Sequence, residues 1–425
     1  MFYDSIALFG MAWFGYFINN NKVNNPMVGL IFISYLFFAT NYSDFGLNLS
    51  FDIFRSLHRA IGIICILIFL TQVVKKRINV FQDSTSRTLS LFFLILLISY
   101  IGNDIYFSHY IHYLRNFVFV ACIALFLYYQ LDDNAKINEL FKLIGLSSVL
   151  LSLFVLIEMI SQGWGNRITL FYSNSNYLAV ALLPGFTVLI LSKIRKFEFL
   201  SLIPLLSIFA SGSRATELAT VFVLILFILE NFKIFNKKYL VISLLITIST
   251  FVIFFDKIVI KTHIDGTRIA LSRIVLNMYQ ESPINGIGYG QFRTKYYKYV
   301  DEEILALNNT EINDGFKSFD TSISDESLNF KGIERNLEKM THSDLFTVIA
   351  ELGSIGIIFL IFLFYKIYFE LKKLLFHSKK NFFTSIGLIG SSLIFSLFHN
   401  NMTSFIFWFV LFIPILMNRN YERNL

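Results

Sequence analysis

"DLFTVIAELGSIGIIFLIFLFYKIYF" occupies residues 344–369, and "ELKKLLFHSKKN" follows it directly at 370–381. The first stretch is apolar over enough residues to cross roughly 30 Å of hydrocarbon as a helix. The second carries four lysines. Clustered basic residues at one end of an apolar span mark the end that stays in the cytoplasm.

Runs of the same kind recur outward from this one. They fall near 27–40, 57–74, 89–102, 111–129, 140–160, 177–192, 197–210, 215–230, 239–255, 382–398 and 402–417. Another lies inside "MFYDSIALFGMAWFGYFI" at 1–18, which has no basic leading region and no small-residue cleavage site and so reads as a retained helix. The fold class predicted is an all-α polytopic integral membrane protein of 12 or 13 spans. Composition agrees: 55% of residues are hydrophobic, only 15% are charged and 50 are phenylalanine, which is not the make-up of a water-exposed surface. Cys65 and Cys122 fall inside apolar runs, where cysteine behaves as a small hydrophobe, and carry no redox information.

The net charge of +7 reports topology rather than a nucleic-acid partner. If connections alternate between sides, one set, which includes 370–381 and the C-terminal tail, holds 19 Lys and Arg. Short connections of the other set hold only Arg55, Arg167 and Arg214. The first set, with the C-terminus, is expected in the cytoplasm. One connection on the other side, 257–343, is far longer than the rest, and its 11 basic residues are nearly balanced by acidic ones. Three regions follow: a helical bundle at 1–256, a large extracytoplasmic loop domain at 257–343, and C-terminal helices at 344–425. The middle of the loop is polar and without apolar periodicity, and irregular structure is expected there.

Within that loop, "ESPINGIGYGQF" at 281–292 spaces Gly286, Gly288 and Gly290 at alternate positions behind Pro283. A dinucleotide fingerprint would need a third glycine where Gln291 stands, and an external loop does not meet cytosolic nucleotides. The stretch reads instead as a turn after a helix, with Pro283 ending the helix and the glycines letting the backbone bend close to a substrate. The helix it ends begins in "GTRIALSR". Ile269, Leu271, Ile274, Val275 and Met278 share one of its faces, and Arg268 and Arg273 lie five residues apart. It serves either as an interfacial helix with basic anchors or as a carrier of phosphate ligands.

Other polar groups gather at the same expected boundary. Arg214, in "SGSRATE", is either a snorkelling arginine at a tight turn or a guanidinium placed to grip phosphate with two parallel hydrogen bonds. His342, in "THSDLF", is either an inert interfacial histidine or a base that takes a proton from a hydroxyl, as the ordinary near-neutral pKa of the residue type allows. Asn174 and Asn176, in "FYSNSN", either cap a helix or hydrogen-bond a sugar. His399, Asn400 and Asn401, in "HNNMTSF", carry the same ambiguity. His109 and His112 lack an evident third metal ligand, Asp132 and Asp133 read as a solvated turn, and the external segments hold no D-x-D motif.

Taken together, "FYSNSN" before a span, "SGSRAT" between spans, the arginine-to-glycine pattern from Arg268 to Phe292, and "HSD" followed by "ELGSIG" resemble the O-antigen ligase and polymerase superfamily of bacterial envelope polysaccharide assembly. The resemblance covers roughly residues 170–360. It implies a GT-C-like membrane glycosyltransferase in the bacterial cytoplasmic (inner) membrane, acting at the outer face of that membrane. The implied donor is an oligosaccharide on undecaprenyl diphosphate; the implied acceptor is a lipid-linked glycan or a lipid A core. Membrane lipids and a chain-length regulator would be further partners, with no nucleic acid. On that analogy Arg214, Arg268 and Arg273 hold the diphosphate and His342 is the base, in a metal-independent, inverting transfer that uses no cofactor. Two positions depart from the family pattern: Ser272 stands where an aromatic residue is common, and Ser343 where asparagine is common.

The chemistry suits the residues, because fixed guanidinium groups stabilise a departing diphosphate. Polymerization of repeat units is the leading expectation and ligation the alternative. A flippase is the reading from another class, but such proteins tend to show internal repeats and midplane polar sites. No convincing repeat is seen here, and Arg115, Glu158 and Lys366 are the main ionisable residues within spans.

Overall fold

The computed structural model describes residues 9–10, 12–13, 15–16, 26–37, 49–75, 83–163, 166–170, 172, 174–192, 198–231, 266–301, 341 and 343–423, excluding the side chains of 49–58, 266–270 and 297. Most of the first expected span, the span expected at 239–255, nearly all of the polar loop segment and His342 lie outside the described residues.

Every regular element among the described residues is helical. In chain order these are α1 (Pro26–Phe37), α2 (Leu49–Val74), α3 (Ser84–Ile98), α4 (Phe107–Gln130), α5 (Asn134–Gln162) and α6 (Ser175–Leu191). A 3₁₀ turn (Glu198–Ser201) leads into α7 (Leu202–Ser211), followed by α8 (Arg214–Asn231) and α9 (Gly266–Glu281). A short α10 (Phe292–Lys295) runs into a second 3₁₀ turn (Tyr296–Tyr299), and α11 (Asp344–His377), α12 (Lys379–Ser396) and α13 (Phe405–Arg423) complete the set. Helices α4, α5 and α11 are long and apolar enough to cross a membrane. The other expected spans that fall on described residues each meet a helix as well.

The two ends of the bundle differ. At one end Asp83 caps α3, accepting from the N–H groups of Thr85 (2.7 Å) and Ser86 (3.2 Å), and it also accepts from the Tyr128 hydroxyl (3.0 Å). Lys366 donates to the Ser84 carbonyl and the Thr88 hydroxyl, both at 2.6 Å, so an ammonium within a long apolar helix is satisfied by the start of α3. Arg419 lies 4.1 Å from the Tyr128 ring centre and donates to the carbonyls of Tyr128 and Leu131. Lys379 reaches the Glu230 carbonyl at the end of α8. The helix ends that the charge pattern groups together therefore meet in space.

Aromatic residues knit the interior. Phe92 of α3 stacks on Phe359 of α11 with centroids 4.7 Å apart, and it lies 5.2 Å from both Phe117 of α4 and the fully buried Trp408 of α13. Such pairs add to the area they bury. Gly387 and Gly390 bring α12 against Leu191 of α6 and Phe222 of α8, where any side chain would collide.

Helix α9 turns its apolar face to the protein rather than to lipid. Leu271, Ile274, Val275 and Met278 are at most 1% exposed and pack with Ile287, Phe292, Tyr296 and Ala350. The interfacial-anchor alternative thus fails for that face. Glu281 is the last helical residue, two before Pro283.

Beyond that proline, the glycine stretch splices into α11. The backbone of α11 breaks at Gly353 (φ 58°, ψ −150°), which removes the helical bonds around it. The loop replaces them. Ile287 and Gly288 N–H donate to the carbonyls of Ala350 (2.9 Å) and Glu351 (3.2 Å), while Ser354 and Ile355 N–H donate to the carbonyls of Pro283 (2.8 Å) and Ile284 (3.1 Å). A break inside an apolar helix would otherwise leave these groups without partners, at a cost of a few kcal/mol in a membrane setting.

Candidate functional site

At the end of the bundle opposite Asp83 and Arg419, a cavity of about 400 Å³ opens between α1, α2, α4, α6, the glycine stretch, α10, α11 and the turn before α13. Its walls were built by the local structure just described.

Glu351, 4% exposed on α11, aims its carboxylate at the glycine stretch, accepting from the N–H of Gly290 (2.8 Å) and of Phe292 (2.9 Å). Gly286, Gly288 and Gly290 have φ of 66°, 102° and 75°, and a side chain on them would meet the Glu351–Leu352 backbone, Ile105 and Tyr113 respectively. The close approach these glycines permit is to the protein's own chain. The turn between α3 and α4 completes the clamp: Ser99 Oγ accepts from Tyr289 N–H (3.1 Å), Asn103 donates to the Gly286 carbonyl (2.9 Å), and Gln291 Oε1 accepts from Tyr106 N–H (2.8 Å). Lys295 is buried behind it and donates to the Ile287 carbonyl (3.3 Å); burial pushes its ammonium pKa down.

Asp344, in the first turn of α11, accepts from the N–H groups of Asn401 (2.8 Å) and Met402 (3.1 Å), fixing the turn before α13 against the start of α11. Ser343 is the N-cap of α11 and accepts from Phe346 N–H at 3.5 Å. Serine and asparagine are comparably good N-caps, so this departure from the family pattern preserves the same local task. Asn400 joins Thr341 and Thr347 in a hydroxyl–amide cluster at the cavity wall.

The residues singled out in the sequence divide. Asn400, Asn401 and His112 line the cavity. His342 lies outside the described residues, and its neighbours Thr341 and Asp344 both line the cavity. Arg268 falls in α9 with its side chain outside the described set, and Arg273, also on α9, is partly buried without lining the cavity. Arg214 opens α8 beside Glu217, next to the turn where Arg167 donates to the Gly212 carbonyl (3.0 Å). Helix α8 runs antiparallel to α12, with Phe222 against Gly390 and Leu226 near Gly387, so Arg214 shares the cavity's end of the bundle. Asn174 caps α6, accepting from the N–H of Asn176 (2.9 Å) and Tyr177 (3.2 Å). This capping places Tyr177, rather than either asparagine, on the wall. His109 is buried and His112 exposed, and no group of three metal-ligating side chains occurs among the described residues.

Several wall residues were not singled out: Arg59 of α2, Asn116 and Tyr113 of α4, Tyr289, and Arg293 of α10. A cavity of guanidinium, amide, phenol and aromatic groups suits an anionic, hydroxyl-rich ligand.

Residues 199–361 match the family model described as O-Antigen ligase. This match supports the O-antigen ligase and polymerase superfamily. The matched stretch supplies α7 to α10 and the start of α11, hence the glycine stretch, Arg293, Asp344 and Glu351. No curated protein matches the chain. The match supports a membrane enzyme of the O-antigen ligase/polymerase type.

Proposed function

We propose that this enzyme is a polysaccharide polymerase, moving an oligosaccharide from undecaprenyl diphosphate to a hydroxyl of a second lipid-linked glycan. The observation that carries the reading is the cavity of arginine, amide and tyrosine groups, whose α10 and α11 walls come from the family-matched segment. The acceptor hydroxyl attacks the anomeric carbon from the face opposite the diphosphate and gives its proton to His342. The sugar–diphosphate bond breaks, and Arg214 with Arg268 balances the charge on the departing diphosphate. Inversion at the anomeric carbon follows from this single displacement. The basic helix ends face the cytoplasm and the cavity faces outward, where a flipped donor would present its diphosphate at headgroup level.

Ligation to a lipid A core is the second reading, favoured by the description of the matched family. Purified protein given undecaprenyl-diphosphate repeat units, with and without a core acceptor, tests both. Elongated lipid-linked chains without core acceptor support polymerase; products only with the core acceptor support ligase; no transfer under either condition rejects both.

A further inference from the structure

Arg293 stands one residue past Phe292, the residue whose N–H is held by Glu351. It is partly buried on the cavity wall, and its Nε atom is fully buried with no hydrogen-bond partner among the described residues. Its guanidinium hydrogen-bonds the Tyr113 hydroxyl and lies close enough to the Tyr177 hydroxyl to act on it electrostatically. The two carboxylates that share the wall are already engaged, each by a pair of backbone N–H groups: Glu351 by Gly290 and Phe292, Asp344 by Asn401 and Met402. Of the two guanidinium groups on the wall, Arg59 and Arg293, Arg293 is the one that keeps a buried Nε without a partner among the described residues. A partly buried guanidinium with a donor still unpaired favours an anion with paired oxygens, which phosphate supplies. The backbone beneath it is fixed by the splice into α11, so little ordering remains when a ligand arrives.

We propose that Arg293 is a direct ligand of the donor's diphosphate group within this cavity, in addition to the arginines named above. The assignment rests on the glycosyl-transfer reading. It identifies the short helix after the glycine stretch as the phosphate-binding element.

The test is a titration of full-length protein in detergent with undecaprenyl diphosphate, using undecaprenol as the diphosphate-free control and phosphatidylglycerol as competitor. Arg293→Gln is expected to weaken undecaprenyl diphosphate binding about tenfold or more, the range for losing charge-assisted hydrogen bonds. Undecaprenol binding should not change. Arg293→Lys should fall between, since a point charge replaces a fork. If folded Arg293→Gln binds undecaprenyl diphosphate as tightly as wild type, the assignment is wrong and the transfer reading stands. Should the glutamine variant fail to accumulate, unchanged affinity in Arg293→Lys overturns the assignment equally. Wild-type protein that binds undecaprenyl diphosphate no better than undecaprenol overturns both readings. Displacement by equimolar phosphatidylglycerol marks an ordinary lipid headgroup site and overturns the donor assignment.

Discussion

Gly286 and Gly353 meet backbone to backbone: a Cβ on Gly353 would lie 2.6 Å from the Gly286 nitrogen, and both residues hold a left-handed φ. Neither site can accept a side chain, because the atoms in the way are main chain.

Gly286→Ala and Gly353→Ala should each lower the thermal unfolding temperature in detergent, with about 1–2 kcal/mol arising from the left-handed backbone alone. Since they disrupt one shared contact, the double variant should lose less than the sum of the two singles. Strict additivity in a thermal-shift series would show that the splice is not one unit.

Glu351→Gln leaves a single acceptor oxygen for two N–H groups and turns an amide towards the other. A loss of about 1–3 kcal/mol is expected. The same variant should weaken undecaprenyl diphosphate binding, because the loop it releases carries Arg293.

Ser343→Ala removes the N-cap of α11 and should cost about 1 kcal/mol, whereas Ser343→Asn should be close to neutral. Unfolding temperatures of the two variants, measured side by side, decide whether capping is what this position contributes.

His342→Ala and Arg214→Ala should abolish polymer formation while the protein inserts and accumulates normally. Purified His342→Ala that elongates lipid-linked repeat units at the wild-type rate would remove histidine from the base role.

Much of the helical architecture was legible because apolar length sets each helix, and the basic clusters, on the expectation that connections alternate sides, group helix ends that meet. The meeting of Lys366 with Ser84 and of Arg419 with Tyr128 follows from that alternation. Gly353 was not legible as a break. It sits in a continuous apolar run, and hydropathy registers side chains, not the backbone torsion that a distant loop stabilises. The glycine stretch was readable as a turn, but its partner was not, since nothing local in "SPINGIG" names residues 350–355. Arg293 was not legible for a related reason: the glycine pattern ends at Phe292, one residue before it. The available signal was a basic residue immediately after a stretch rich in turn-formers.

The splice has a consequence for chain length. Only Asn285 and Gly286 separate the loop's carbonyl contacts from its N–H contacts, and only Leu352 and Gly353 separate the matching groups of α11. Two short segments are therefore geared like teeth of equal pitch. Adding or deleting one residue in either would strand two of the four bonds at once, so a scan of single-residue insertions should find 283–288 and 350–355 the least tolerant windows in this part of the chain.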